Sequence, residues 1–564
     1  MSLIDWIVLF STLLLIVVYG VYKSRGSSNI DGYLLGNKTL PWYHIGFSVM
    51  ATQASAITFL SAPGLAYSSG MSFAQFYFGV PLAMIVLSIT FVPIFHRMRV
   101  FTAYEYLEKR FDVKTRVFTA FLFLIQRGVS TGITIYAPSV ILSSILQIDA
   151  TYTTLFIGCL VVMYTVWGGT KAVSYTQLLQ MGIIFIGLLS AGVMVVHLLP
   201  SDIGLVKALH IAGKSGRANA IDFSFDWNNQ YTLWSGLIGG FFLQLSYFGT
   251  DQSQVGRYLT GSSIRDSRLG LLMNGLVKVP LQFLILMIGV LVFAYYQYNQ
   301  PPIFFNKLEL NKIEKSPYQS ELQQIKEQFN TVFQEKHRLI NKLSNALDTH
   351  SDAEIADIRK DLHSANQKTT EIREELTRLM QKNDPKADTN DNNYIFLNFV
   401  TEKLPKGLVG ILIAIVFLAS MGSTASALNS LASTSVIDIY KRFIHRDGSA
   451  SNYLNVSRLM TLFWGIFTII IALYANRLGN LLEAVNILGS LFYGTILGIF
   501  IVAFYMKRAK GTATFIAAIF AEILVIICWR ADMMAFLWLN LVGCVSVMFF
   551  ATLIQAIIPR ISKN

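Results

Sequence analysis

The sequence predicts an all-α membrane protein with 13 transmembrane helices, a five-plus-five inverted-repeat core whose first and sixth helices are broken, and an extracytoplasmic helical-hairpin insert. Three observations lead there. Apolar residues make up 53% of the chain and charged residues only 14%, and long apolar runs recur along nearly all of it, the balance of a membrane protein. Two of those runs, five spans apart, are interrupted by glycine or proline. One polar segment, residues 298–395, breaks the pattern.

A spanning helix needs roughly 20 mostly apolar residues to cross about 30 Å of hydrocarbon. Such stretches lie near 3–22, 42–67, 73–95, 117–144, 151–169, 176–199, 231–250, 268–297, 406–430, 456–475, 480–505, 511–529 and 534–557. The first is longer than the apolar core of a secretory signal and lacks a small-residue cleavage site, so it reads as a retained span. Lys and Arg concentrate on the cytoplasmic side of membrane proteins. With the N-terminus outside, the inner loops and tail hold 21 of them, Arg25, Arg97, Arg99, Lys441 and Arg442 among them, against five in the short outer loops, which include Lys207, Lys214, Arg217 and Arg477. The expected location is a bacterial inner (cell) membrane, with the N-terminus out and the C-terminus cytoplasmic. The net charge of +12 reflects this bias, with no separate basic domain that would suggest nucleic acid. Cys159, Cys528 and Cys544 fall inside spans and imply neither a disulfide framework nor a metal cluster.

The chain divides accordingly. Residues 1–41 form an extra span and first inner loop, 42–199 the first repeat of five spans, and 200–230 an outer loop. The second repeat starts at 231–297, is interrupted by the insert at 298–395 and resumes at 396–506; 507–564 hold two C-terminal spans. Within the insert, Ile355, Ile358, Leu362, Ala365, Thr369, Ile372, Leu376 and Leu379 recur in steps of three and four, the seam of a coiled-coil helix. Leu322, Ile325, Phe329, Val332, Leu339, Leu343 and Leu347 mark an earlier helix, and Ser351 with Glu354 suits a capping box between the two. An antiparallel hairpin with arms of about 45 Å, standing off the membrane, is expected. Residues 316–382 read either as a docking arm for a periplasmic partner or a second copy, or as a solvated insertion without a role in transport.

Interrupted helices free backbone groups to hold ions and solutes near the bilayer midplane. In the second span Ser61-Ala62-Pro63-Gly64 is expected to break the helix, because proline removes a donor. In the seventh, Gly236, Gly239 and Gly240 weaken it midway, unless they serve only close packing. Charge supplies the other signal. Arg127 and Lys278 each lie ten residues into a span, about 15 Å along the helix, where a lone charge costs several kcal/mol. Asp251 and Glu483 sit near span ends, so a positive deficit is expected that an anionic solute would neutralise, Arg being suited to a carboxylate by its planar fork. The plainer alternative is that both snorkel or bond backbone carbonyls.

The stretches Gly36-Asn37-Lys38-Thr39-Leu40-Pro41-Trp42, ASAITFLSAPGLAY, VMYTVWGGTKAV, YFGTDQSQVGRYL, ASALNSLASTSVIDIY and GSLFYGTILGIF together resemble signatures of the sodium:solute symporter family, nearest its monocarboxylate, vitamin, iodide and sialic acid branch through IYAPSVIL and FGTDQ. The resemblance covers all the spans and omits the insert. It implies sodium-coupled symport of a small organic solute by alternating access, in a membrane lipid setting. It also implies a sodium ion (Na+) held by the carbonyls of Ala51, Ala54 and Ala419 and the hydroxyl of Ser423. Relatives carry two adjacent hydroxyl residues there. Counting back from Asn429 puts Gly422 at the first position, so either one ligand is missing or Ser423 and Thr424 serve as the pair. Gln177 stands where members with an additional sodium have aspartate, so a single ion is expected. The resemblance further assigns Thr58, Gln244 and Lys278 to the solute and Tyr247 to an inner aromatic gate, whereas Asn486 reads as a structural hydrogen-bonding residue. The solute is expected to be an anionic carboxylate such as sialic acid or a monocarboxylate, with a neutral sugar as the alternative. No zinc or nucleophile motif points to an enzyme. A sensor built on such a core would have to act through the hairpin.

Overall fold

In the structure, a computed structural model, residues 1–24, 39–98, 100–349, 352–475 and 478–561 are described. Gly36 to Lys38 of one signature, the charged residues Arg25, Arg99 and Arg477, and Ser351 of the expected capping box lie outside them. Helix α1 (Leu3–Ser24) precedes α2 (Trp42–Gln53) and α3 (Ala56–Ser69), which meet at a bend of 61°. A 3-10 turn at Met71–Tyr77 leads into α4 (Gly79–Ile89) and α5 (Phe91–Met98), together one span. Then come α6 (Ala103–Arg110), α7 (Val113–Leu146), α8 (Ala150–His197) and α9 (Leu205–Lys214). The stretches expected as separate spans at 151–169 and 176–199 both lie on α8, as apolar segments Ala150–Val166 and Val173–His197.

A π-helical turn at Ser235–Gly239 runs into α10 (Gly240–Thr250), which stops at Asp251 before α11 (Gln252–Tyr258). Helix α12 (Ile264–Tyr298) reaches the insert, made of α13 (Lys307–Glu314), α14 (Gln319–Asp348) and α15 (Asp352–Asn383). After α16 (Asn392–Lys403) follow α17 (Leu408–Thr434) with a π-helical extension Ser435–Ile444, α18 (Ala450–Ala472), α19 (Leu481–Tyr505), α20 (Gly511–Arg530) and α21 (Phe536–Ile561). Among the described residues, 10 helices are long and apolar enough to cross a membrane, or 11 if the bent pair counts as one span.

Hydropathy and packing divide the work between helices. Helix α17 is buried along almost its whole length, polar residues included. By contrast α1 exposes Ile7, Phe10, Leu14 and Leu15, and α18 exposes Leu459, Phe463, Ile466 and Ile470, as helices facing lipid would. Helices α1, α2, α3, α7, α8, α11 and α18 pack against α17, and α1 and α18 leave apolar side chains outward.

Both expected breaks exist, but neither falls where it was expected. Pro63 lies inside the continuous helix α3, and the chain bends instead at Ala54 and Ser55, whose backbone is extended. The glycines of the seventh span do not end the helix: Gly236 and Gly239 lie in the π-helical turn that departs from the α ladder, and the chain leaves the helix only beyond them at Asp251, with φ −75° and ψ 119°. Their role is close approach. A Cβ on Gly236 would sit 2.0 Å from the Gln75 carbonyl oxygen, and one on Gly239 or Gly240 would crowd the carbonyls of Leu537 and Phe76. Backbone cannot retreat as a side chain can, so Gly236→Ala is expected to destabilise by about 1–3 kcal/mol. Thermal unfolding in detergent checks this against Gly182→Ala, which meets nothing within 4 Å and should leave the melting temperature unchanged.

The hairpin forms as the heptad pattern requires: α14 and α15 bury Leu322, Ile325 and Phe329 against Ile372, Leu376 and Leu379. It does not stand off the membrane domain. Its tip residues Leu339, Ile340 and Leu343, with Ile355, Ile358 and Leu362, join the main apolar core, and Lys207 on α9 holds Asp348 at 2.7 Å. The apolar residues of the tip thereby bury against the apolar surface of the membrane domain.

Candidate functional site

The bend between α2 and α3 changes the hydrogen bonding of its carbonyls. The Ser55 N–H bonds the Gln53 carbonyl, not that of Ala51, and the Thr58 N–H bonds Ser55, not Ala54. The carbonyls of Ala51 and Ala54 are thereby released from the helical ladder, as a ligand for a hard cation requires. Facing them is α17. There the Ser423 hydroxyl donates to the Ala419 carbonyl at 2.8 Å, which leaves its lone pairs as acceptors. Thr424 Oγ1 is buried with no hydrogen-bond partner among the described residues.

Gly422 turns to the other side. Gln177 Nε2 donates to its carbonyl at 3.3 Å, and a Cβ here would lie 2.6 Å from Gln180 Oε1. A side chain at this position would have to displace the end of Gln180. Gln177 also accepts from Ser48 at 2.6 Å and donates to Thr52 at 3.2 Å, while Thr52 and Ser426 hydroxyls lie 3.1 Å apart. Arg257, on α11 past the second break, enters the same cluster by donating to Ser426 at 2.9 Å and Ser174 at 3.3 Å. The sequence reading missed this fully buried cation, because its position beyond the apolar run resembled a loop.

Next to the first break lies a cavity of about 90 Å³, lined by Thr58, Arg127, Gln244, Tyr247 and Ser423 together with Gln53, Thr424 and Asn486. At roughly 10–15 Å³ per water it has room for several. The structure therefore brings together four of the five residues expected at the solute, and one of those expected at the ion. Lys278 is the exception. Its ammonium lies over the ring of Tyr77 at 5.3 Å, has no hydrogen-bond partner among the described residues and does not line the cavity, although Tyr77 does. A cation–π contact worth about 2 kcal/mol when desolvated compensates part of its burial.

Several cavity groups lack partners. Gln53 donates to Gln244 Oε1 at 3.2 Å, but Gln244 Nε2, Gln126 Oε1 and Asn486 Nδ2 have none among the described residues. Asn486 thus points an unbonded amide at the cavity, contrary to the structural role expected of it. Orphaned buried polar groups around one void mark a place built for a polar ligand.

The floor of the cavity corrects the charge balance. Arg127 Nη1 lies 3.7 Å from Asp251 Oδ2, and Tyr493 donates to the same oxygen at 2.8 Å. Gln254 donates to the Tyr247 hydroxyl at 2.7 Å, and the Arg127 guanidinium stands 5.9 Å over the Tyr247 ring. Asp251 was placed near a span end. The break after α10 brings it to the depth of Arg127 and neutralises that charge. Arg127 Nε stays unbonded among the described residues.

A helical membrane protein whose bent helix releases carbonyls beside a buried polar cavity is, by fold and site, a secondary transporter. The sodium:solute symporter family model matches residues 33–304 and 384–521, and the chain belongs to that family: it is a sodium-coupled transporter of a small solute, and sodium is its coupling ion. It is similar to the sodium/sialic acid symporter NanT of Aliivibrio fischeri, 25% identical over 92% of this chain and 86% of the relative. The sodium/sialic acid symporter SiaT of Proteus mirabilis is 25% identical over 98% of this chain and 94% of its own. The human sodium/iodide cotransporter is 30% identical over 48% of this chain and 42% of its own. A solved structure of a sodium-coupled sialic acid symporter in a substrate-bound outward-open state shares the fold, with a TM-score of 0.76 at 22% identity over 99% of this chain and 98% of that one.

Proposed function

We propose that this protein carries a small organic anion, a carboxylate such as sialic acid or a monocarboxylate, into a bacterial cell together with one sodium ion. The observation that carries the reading is the cavity beside the released carbonyls of Ala51 and Ala54, which holds Arg127 Nε and the amide nitrogens of Gln244 and Asn486, all without a hydrogen-bond partner among the described residues. Two relatives named as sodium/sialic acid symporters support the solute class. In this reading 13 spans form five-plus-five repeats with two further C-terminal helices. The N-terminus and hairpin face outward, and the C-terminus lies in the cytoplasm.

Sodium binds Ala51, Ala54, Ala419 and Ser423, with Thr424 supplying the hydroxyl that Gly422 lacks. Thr58, Arg127 and Gln244 hold the solute, and Tyr247 closes the inner side. The ion ties α2 and α3 to α17 and favours the outward-open form, which then binds solute. Coupling requires each ligand to bind one state better than the other. A neutral sugar is the second reading, favoured by the Arg127 to Asp251 pair, which leaves the floor of the cavity with no net charge.

Uptake into proteoliposomes under an inward sodium gradient tests both, using labelled N-acetylneuraminate, pyruvate, pantothenate and glucose. Acid uptake that vanishes when sodium is replaced by potassium is expected. Entry of glucose with exclusion of all three acids would overturn the anion reading.

A further inference from the structure

The hairpin and the membrane domain enclose a second cavity, of about 330 Å³, between the end of α3, the end of α12 and the facing sides of α14 and α15. Its walls are of two kinds. The membrane-domain wall is aromatic, with Tyr67 packed 5.6 Å from Phe293 and 6.0 Å from Tyr296 between ring centroids. The other walls mix aromatic, polar and charged side chains, and three cations stand among them, one from each of three separate segments: Arg217 after α9, Lys336 on α14 and Arg373 on α15.

The charges do not balance. Arg373 is paired with Asp391, which also accepts from the Phe305 N–H at 2.8 Å. The other acidic residue of the lining, Glu374, is solvent-exposed. Arg217 and Lys336 form no ion pair among the described residues. Arg217 Nε is buried without a hydrogen-bond partner among them, and its guanidinium lies 5.4 Å over the Phe293 ring. Burial, and then the charges of Arg217 and Arg373, push the Lys336 ammonium down to about 8. Burial lowers the Arg217 guanidinium too. Two cations brought together at such cost need an anion to complete the site, and the aromatic wall offers that anion an apolar face to lie against.

We propose that this chamber binds a small organic carboxylate, with the carboxylate between Arg217 and Lys336 and the body of the molecule against Tyr67, Phe293 and Tyr296. The site goes beyond the transport cavity, since the family match skips residues 305–383, where Lys336 and Arg373 lie. Taken with the outward orientation proposed above, the chamber is a capture site at the end of the helix whose other end forms the ion and solute site. It holds the solute before the core opens to it.

Lys336 supplies the readout, because an amine pushed down to about 8 acylates readily near neutral pH. Purified full-length protein in detergent, in sodium-free choline buffer at pH 7.5, is treated with acetic anhydride, and acetylation is followed at each lysine by peptide mass spectrometry. Lys360, whose side chain is 81% exposed, is the internal reference. Acetate, pyruvate, benzoate, pantothenate and N-acetylneuraminate are each added at 10 mM beside their methyl esters or amides, with sulfate at matched ionic strength.

At least one of the organic acids is expected to slow acetylation of Lys336 about fivefold relative to Lys360, and its uncharged counterpart to leave it unchanged. Arg217→Gln is expected to remove that protection, and Arg217→Lys to retain part of it. Arg127→Ala should leave the protection intact, so a failure here and a failure of acid transport are read separately. No protection by any acid in the natural protein overturns the proposal. So does equal protection by sulfate, or protection that survives Arg217→Gln.

Discussion

Arg127→Ala is expected to reduce solute uptake by about 10²–10³-fold while protein level and insertion stay measurable. The substitution strands Asp251, whose carboxylate is fully buried and pairs with Arg127 at 3.7 Å. Breaking a buried pair by removing one partner costs about 3–5 kcal/mol, and each 1.4 kcal/mol is a factor of ten. Initial rates in proteoliposomes measure the effect. The double variant Arg127→Ala with Asp251→Asn then separates two roles. Where Arg127 serves only to neutralise Asp251, the double variant recovers uptake. Where Arg127 also contacts the solute, as its unbonded Nε suggests on physical grounds, uptake stays low and half-saturation for the solute rises. Recovery to the natural rate would remove Arg127 from the solute site.

Ser423→Ala is expected to raise the sodium concentration for half-maximal uptake by about 10–100-fold, since a polar contact to a charged group is worth about 1.5–3 kcal/mol. Thr424→Ala is expected to do the same to a lesser extent, because its hydroxyl is buried, unbonded among the described residues and faces the cavity. Ser420→Ala is the control, on the same helix but outside that cavity lining. The measurement is solute uptake against sodium at fixed membrane potential. If both Ser423→Ala and Thr424→Ala leave the sodium curve unmoved, the ion does not bind at this junction. Gly422→Ser should not create a better site. Its side chain would displace Gln180, whose Oε1 lies 2.6 Å from the Cβ position, outside the cavity lining, so an unmoved sodium curve is the expected result.

Much of this arrangement was legible beforehand, and its limits are instructive. The 42–67 and 231–250 stretches were both read as interrupted helices, yet each break sits elsewhere: at Ala54 and Ser55, ahead of Pro63, and at Asp251, past the three glycines. Proline inside a membrane helix is tolerated where packing holds the helix together around it, and here α12 packs so closely that a Cβ on Gly289 would lie 2.2 Å from the Pro63 oxygen. Glycine signals either flexibility or contact. Gly236 and Gly239 prove to be contact glycines, and nothing local to them says so. The pattern likewise marked Lys278 as a deep charge but not that Tyr77 would stand between it and the cavity.

The sequence by itself determined that this chain crosses a membrane many times, that its insert is a two-arm helical hairpin, and that it belongs among the sodium-coupled carriers. The first two rest on the free energy of single side chains in water, lipid or a helical seam, which depends on residue order alone, and the third on the resemblance of dispersed motifs to a known family. Tertiary structure decided where the broken helices open, which acid meets Arg127, and how the hairpin folds back to enclose Arg217 and Lys336. Those outcomes depend on which groups are brought together from positions far apart in the chain, and a buried charge or a released carbonyl acquires its energy only from the partner that packing places beside it.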